Sequence, residues 1–432
     1  MILIKNGRVV DPANNRDEIL DILVDGKKIA KVAKRIQDDA AQIIDAKDKI
    51  VLPGLVDMHV HLREPGREDK ETIETGTLAA VKGGITSVLA MPNTAPVPDC
   101  AGHISLVREI IAKTGQANVY ICGAITRGRA GKELSDILEL KKENVAVISD
   151  DGASVESEEL MLAAFKKAKK NGVLVICHCE DKALSANGAV NLGFTSTRLG
   201  LRGISCESEY KRVKRDIALA KKTQACVHIA HVSCKESVEI IRAAKKDGIK
   251  VTSETAPHYF ALTEDDVLSY DTNKKMNPPL RGNADLAAIK DGLGDGTIDA
   301  IASDHAPHTD NEKDVEFERA EFGVIGLETE LAVAITELII HNVLDWPALV
   351  NKMSVNPAKI LGINKGTLSE GADADIIIVD TDKEWVVKKD DFVSKSQNCA
   401  FLGKKLKGVV EHTVCGGRIV YRASGRGLYN LK

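Results

Sequence analysis

The sequence predicts an α/β chain: a (β/α)8 TIM-like barrel with a small β-sandwich domain formed by both termini. Three observations carry that expectation. Eight short apolar runs recur through the middle of the chain, and Lys/Glu/Ala-rich stretches with helical spacing separate most of them. Both ends alternate apolar and polar residues as half-buried strands do. A chain of 432 residues exceeds what one core usually occupies, unless that core is a barrel of roughly 250 residues or more with insertions.

The N-terminal stretches "ILIKNGRVVD" and "ILVDGKKIAKV" read as strands joined at Asn-Gly and Asp-Gly turns. The central runs fall at 55–60, 85–90, 118–125, 145–149, 173–177, 226–230, 249–253 and 298–303. Between them, "ETIETGTLAAVKGG", "SEELMLAAFKKAKKNG" and "KESVEIIRAAKKDG" each close on Gly, the usual helix stop. Near the end "ADADIIIVD", "EWVVK" and "HTVCGGRIVYR" return to the strand pattern. This divides the chain into a small β domain, residues 1–50 and 366–432, around a barrel at 51–365.

Composition excludes several function classes. A net charge of −4, with 44% apolar and 28% charged residues, describes a soluble globular chain with no bias toward nucleic acid or an anionic membrane. The longest apolar runs fall far short of the ~20 residues of a membrane span, and "MILIKNGRVVD" lacks a signal-peptide core, which argues for the cytoplasm. Nine cysteines, an odd number without an export signal, read as reduced thiols. Cys177 and Cys179 flank His178 as C-x-C, a spacing that small apolar strand residues fill more often than soft-metal ligands do.

The chemistry gathers where the predicted strands end. "DMHVHLREPG" places His59, His61 and Arg63 at alternate positions, which share one side of an extended chain. Later strands end in Asn93, in Asp150 and Asp151, in His178, in His231 and in Asp304. That rim of a barrel carries catalytic groups. Four histidines and two carboxylates exceed the needs of one open zinc site, but suit two ions ~3.5–4 Å apart with a bridging carboxylate. Spacing leaves open whether Asp150 or Asp151 turns inward. By the same alternation His228 is expected to face the helices, and Asp57 to lie one layer below His59.

In order, "DMHVHLREPG", "MPNT", "SDDG", "HCED", "HVS", "SETAPHYF", "KMNPPLR", "SDHAPHT" and "EFGVIGLETEL" resemble the signatures of the dihydroorotases of the amidohydrolase superfamily. The resemblance spans about residues 50–365. It implies the reversible cyclisation of N-carbamoyl-L-aspartate to L-dihydroorotate in pyrimidine biosynthesis. His59 and His61 would hold one zinc with Asp304, and His178 and His231 the other. "VAVISDDG" lacks the bridging lysine of many superfamily members, so Asp151 takes that place; two zinc ions per subunit are expected, or one if a single site fills.

The resemblance further assigns Asp304 as proton shuttle for a metal-activated hydroxide. It places the substrate among His61, Arg63, Asn93, Asn277, His308 and the Phe322–Gly323 backbone. His305 would play a supporting role. The polar stretch 309–321 reads as a mobile loop over the pocket. A homodimer is the family expectation, and aspartate transcarbamoylase a candidate partner. Two alternatives compete. Hydantoinase- or allantoinase-type cyclic amidases generally keep the lysine and lack the Arg after H-x-H. A non-catalytic homologue that scaffolds aspartate transcarbamoylase would usually have lost ligands.

Overall fold

The computed structural model describes residues 1–423; residues 424–432, the end of the expected C-terminal β segment, lie outside the described residues. Every central apolar run forms a strand: β1 (Leu55–Val60), β2 (Ile85–Ala90), β3 (Asn118–Ile121), β4 (Val147–Ser149), β5 (Leu174–Cys177), β6 (Val227–Ile229), β7 (Val251–Thr255) and β8 (Ala300–Ile301). Neighbours pair in parallel, and β3 reaches β4 through Gly123–Ala124, beyond a break at Cys122. The ring closes where Val60 bridges His305 and the His61 N–H donates to His305 O at 2.8 Å.

One main helix crosses over between each pair of strands: α1 (Ile73–Lys82), α2 (Ala101–Thr114), α3 (Ile137–Lys142), α4 (Glu158–Asn171), α5 (Cys206–Thr223), α6 (Lys235–Lys246) and α7 (Asn283–Gly294). Helix α4 shows how local sequence sets such an element. Ser157 Oγ accepts from Leu160 N at 3.2 Å, Glu158 and Glu159 sit in the positive first turn, and Lys169 and Lys170 in the negative last one. Gly172 ends it at φ 62°, where a Cβ would be strained. Its apolar stripe of Met161, Ala164, Phe165 and Ala168 is buried. Truncating Phe165 to Ala would cost about 3–5 kcal/mol.

Alternation along the strands separates two packing layers. Ile148, Val175, Cys177, Val227 and Ile229 join the helix residues Phe165 and Val213 in one large cluster. Val147, Ile176, Ala230, Ala300 and Ala302 fill the barrel, with Ala358 and Leu361 of a later helix in the same cluster. The barrel is therefore packed beneath its mouth, and the open space lies above.

Both termini meet in one eight-stranded sheet. Its path runs Arg418–Arg422, Lys405–Cys415, Ile376–Val386, Ile50–Pro53, Ile2–Asp11, Arg16–Asp25 and Lys28–Ala33, with Gln42–Asp45 also pairing with Ile2–Asp11. Aliphatic residues from both chain ends, among them Ile4, Ile22, Val51, Ile376 and Val414, form its core.

Two simple expectations need correction. His228 does not face the helices: it pairs in register with Ile176 and Thr252, and its Nε2 lies 3.3 Å from Glu254 inside the barrel. The 309–321 segment is tied down rather than loose. It holds a helical turn, Asp310–Lys313, and buries Phe317 and Ala320. Lys275 Nζ donates to the carbonyls of Phe317, Glu318 and Ala320, and Lys313 Nζ to those of Glu321 and Gly323. Among the described residues no helix is long and apolar enough to cross a membrane.

Candidate functional site

All six expected donors converge at the mouth of the barrel. Asp151 stands at the centre, its Oδ1 3.3 Å from His59 Nε2, 3.4 Å from His178 Nδ1 and 3.6 Å from His231 Nε2. Its Oδ2 lies 3.4 Å from His61 Nε2. Asp304 Oδ1 reaches His61 Nε2 at 3.3 Å and His59 Nε2 at 3.6 Å. The alternative aspartate is spent elsewhere: Asp150 Oδ1 accepts from Thr126 N at 3.0 Å and its Oδ2 from the Thr126 hydroxyl. Tertiary contact with Thr126 thus decides what spacing left open.

Outer partners fix which ring nitrogen three of the four histidines offer. His59 donates Nδ1–H to Glu254 Oε1 at 2.6 Å, His61 donates Nδ1–H to Asn93 Oδ1 at 2.9 Å, and His178 directs Nε2–H at Glu180 Oε2, 3.3 Å away. Each thereby turns its other nitrogen toward Asp151. His59 Nε2 and Asp151 Oδ1 are buried without a hydrogen-bond partner, while His178 Nδ1 and His231 Nε2 stand only 2.8 Å apart. A proton between the last two would answer one pair. Cations would answer all of these atoms at once, so the two groups His59–His61–Asp151 and Asp151–His178–His231, with Asp304 beside the first, fit a metal centre of nitrogen and oxygen ligands.

Electrostatics point the same way. Burial pushes Asp151 up, but the surrounding imidazoles outweigh it and hold the carboxyl well below its usual range. Asp304 is held at about 2 against its own burial, chiefly by the His61 hydrogen bond. Burial lowers His178, yet Asp151 and Glu180 bring it to about 9. The pocket favours anionic carboxylates and positive charge between them. Arg63, His231 and Asp304 also adopt φ of 63°, 36° and 49°. Such left-handed residues cost of order 1–3 kcal/mol each and persist where the surroundings enforce them.

The donors open into a pocket of about 390 Å³ that Arg63, Lys70, Asn93, Asn277, His308 and Phe322 help to line. Arg63 is 9% exposed; its Nε donates to Pro307 O at 3.1 Å and its Nη2 lies 3.3 Å from His308 Nε2. No carboxylate among the described residues forms an ion pair with it, and burial lowers its guanidinium to about 10. His308 accepts from Lys70 Nζ at Nδ1 and donates Nε2–H to Phe322 O at 2.8 Å; burial and these neighbouring cations keep it neutral. Asn277 Nδ2 donates to Glu180 Oε2. The Gly323 N–H and carbonyl are engaged by Lys275 O and by Lys313 and Asn398, so this backbone is held within the protein.

Sequence reasoning missed Glu254. It joins His59 to His228, whose Nδ1 in turn contacts Thr252 Oγ1 at 2.8 Å. The signal was a charged residue ending the buried strand "VTSET". Asp57 accepts from His59 N at 3.0 Å and Ser303 N at 3.2 Å; β1–β2 pairing shifts register between Asp57 and Val60, so plain alternation does not run through the motif. His305 Nε2 meets Glu71, 3.3 Å away, in the supporting place expected of it. Cys177 and Cys179 are buried thiols, and Cys177 packs outward with Val175.

Comparison with known proteins agrees with this geometry. Residues 48–237 match the family model described as dihydro-orotase-like, and residues 284–421 that of the amidohydrolase family. A dihydroorotase of Elusimicrobium minutum is 54% identical over 96% of both chains, and one of Geotalea daltonii 51% identical over 98% of this chain and 99% of its own. Among solved structures, an L-hydantoinase (dihydropyrimidinase) from Arthrobacter aurescens superposes with a TM-score of 0.87 at 25% identity, covering 98% of this chain and 96% of that one. A dihydropyrimidinase from Brevibacillus agri gives 0.86 at 24%, over 98% and 95%. These likenesses agree with the barrel fold.

Proposed function

The chain belongs to the dihydroorotase family of amidohydrolases, and from that premise we propose how this site carries out its reaction. The enzyme interconverts N-carbamoyl-L-aspartate and L-dihydroorotate in pyrimidine biosynthesis, opening or closing a cyclic amide. His59, His61 and Asp304 would hold one divalent ion, zinc being the expected metal, and His178 and His231 a second, with Asp151 a ligand available to both. When bound, the pair supplies a water ionised near neutral pH and an electrophile for the amide carbonyl.

Asp304 accepts the proton of the attacking water and passes it to the leaving ring nitrogen. In ring closure the direction reverses, and Asp304 must begin protonated. Closure therefore gains from lower pH. Arg63 takes the carboxylate that substrate and product share, through a planar fork that a Lys cannot imitate. The single observation that carries the substrate assignment is this buried guanidinium, which has no ion-pair partner on the wall of the pocket that holds Asp304. Asn277 and neutral His308 complete the polar wall. Asn93 orients His61 with its carbonyl, leaving its amide NH2 for substrate.

We read residues 1–50 and 366–432 as a small β-sandwich domain beside a barrel domain at 51–365. The family resemblance supports a cytoplasmic homodimer, with aspartate transcarbamoylase as a candidate partner; sedimentation of the chain with and without that enzyme tests both. The decisive assay offers purified protein dihydroorotate, hydantoin and allantoin separately, with metal measured on the same sample. Turnover of dihydroorotate with bound zinc is expected. Turnover of hydantoin alone would replace this reading with the hydantoinase one.

A further inference from the structure

Outside the barrel mouth, a second set of donors converges where two neighbouring helices begin. Cys206 is the first residue of α5 and Cys234 the residue that precedes α6, with Glu236 in the first turn of α6. One ligand atom from each lies within 4.8 Å of the other two. Cys234 is buried; its sulfur lies 3.4 Å from Glu209 Oε1 and 3.1 Å from Ser237 Oγ in the first turn of α6. Glu236 Oε2 is shielded from solvent without a hydrogen-bond partner, the same mark that His59 Nε2 and Asp151 Oδ1 carry at the main centre.

We propose that Cys206, Cys234 and Glu236 bind one thiophilic divalent cation, zinc being the natural candidate, at a site separate from the metal pair. Two sulfur ligands and one carboxylate suit such an ion, with a fourth position left for water. The buried Arg281 guanidinium feels both sulfurs and offsets part of the negative charge, while its Nη2 also lies 3.6 Å from Glu209, which packs against the Cys234 sulfur. Cys206 is drawn toward the thiolate by its hydrogen bond with Cys234 and by Arg281, while that same bond, burial and Glu209 push the Cys234 thiol up, so a bound cation must displace its proton. A disulfide between the two sulfurs would leave the Glu236 oxygen unanswered; a cation answers it. Cys234 follows His231 by three positions, so the ion would pin the start of α6 to that of α5 beside the loop that carries His231. The expected consequence is a firmer scaffold with no part in turnover.

The catalytic donors contain no sulfur, so in a Cys100→Ser/Cys226→Ser background, which removes the thiol beside Asp99 and His103 and the exposed one, a thiolate-to-cadmium charge-transfer band reports this site and holds whether or not the dihydroorotase reading does. Reduced full-length enzyme carrying its catalytic metal is titrated with cadmium ion, and metal per chain is measured by mass spectrometry. The band should saturate at one equivalent and vanish in Cys206→Ser. In Glu236→Gln, affinity should fall by more than about tenfold, the loss typical even of a residue that only supports a ligand. Turnover before cadmium addition should match wild type in both variants. Absence of the band in that background, its persistence in Cys206→Ser, or a Cys206–Cys234 disulfide in the protein as isolated would overturn the assignment.

Discussion

Asp21 in the terminal sheet and Asp151 at the barrel mouth are buried alike, 3% and 2% exposed, but their surroundings treat them differently. Each oxygen of Asp21 is met by a backbone N–H, from Asn6 at 3.0 Å and from Ile36 at 2.9 Å. Asp151 Oδ1 has no donor and faces imidazole nitrogens of His59, His178 and His231 across 3.3–3.6 Å. The first carboxylate closes a local hydrogen-bond account and holds a loop. The second is left open by groups that are themselves held in place from behind. An unanswered lone pair in a rigid polar cluster marks where a ligand belongs.

Replacing each aspartate should separate those roles. Asp151→Ala is expected to lose both bound metal and turnover while keeping its circular dichroism; a variant with full metal content would erase the contrast. Next in size, Asp304→Asn should lower turnover by about 10²–10⁴-fold, the usual worth of a positioned proton carrier. Near-normal rates would remove the shuttle.

Glu254→Gln sharpens the comparison from behind the metal. It keeps the shape but weakens the bond that directs His59, and should cost about 10–100-fold in metal affinity or activity. An unchanged titration with zinc would reduce Glu254 to packing. Asp21→Asn should act on stability alone: one backbone N–H loses its acceptor, at about 1–3 kcal/mol in denaturant melts, with kcat/KM unchanged.

The smallest effect concerns the lysines that hold the 309–323 segment. Burial, with repulsion from Lys275, lowers Lys313 to about 7, and burial lowers Lys275 to about 8. Both lie below the ~10.4 of an unfolded lysine. Between these values the unfolded chain binds more protons, so their contribution to stability rises with pH from about 7 to about 10 and is lost as pH falls through the folded values. Lys313→Met should flatten the wild-type difference between melts at the two ends of that window. An identical pH slope would show that the buried lysine titrates alike in the folded and unfolded chain.

Sequence pattern located all eight barrel strands and most of the polar side chains that meet at the barrel mouth, because buried parallel strands are short apolar runs and their ends expose polar residues in order. It could not choose between Asp150 and Asp151, which are identical in type and adjacent; a distant threonine chose. Alternation misplaces His228 when it is counted from His231, which lies beyond the end of β6 at φ 36°, where strand parity no longer runs. The lysine anchors escaped notice for another reason. Their partners are main-chain carbonyls, which carry no residue identity to read.

The metal pair itself is tested most directly by anomalous diffraction at the zinc edge from crystals of active protein. Two peaks ~3.5–4 Å apart are expected, one bounded by His59, His61 and Asp304, the other by His178 and His231, with Asp151 between them. An active crystal with no peak among these residues, or with Asp151 touching neither ion, would contradict the account.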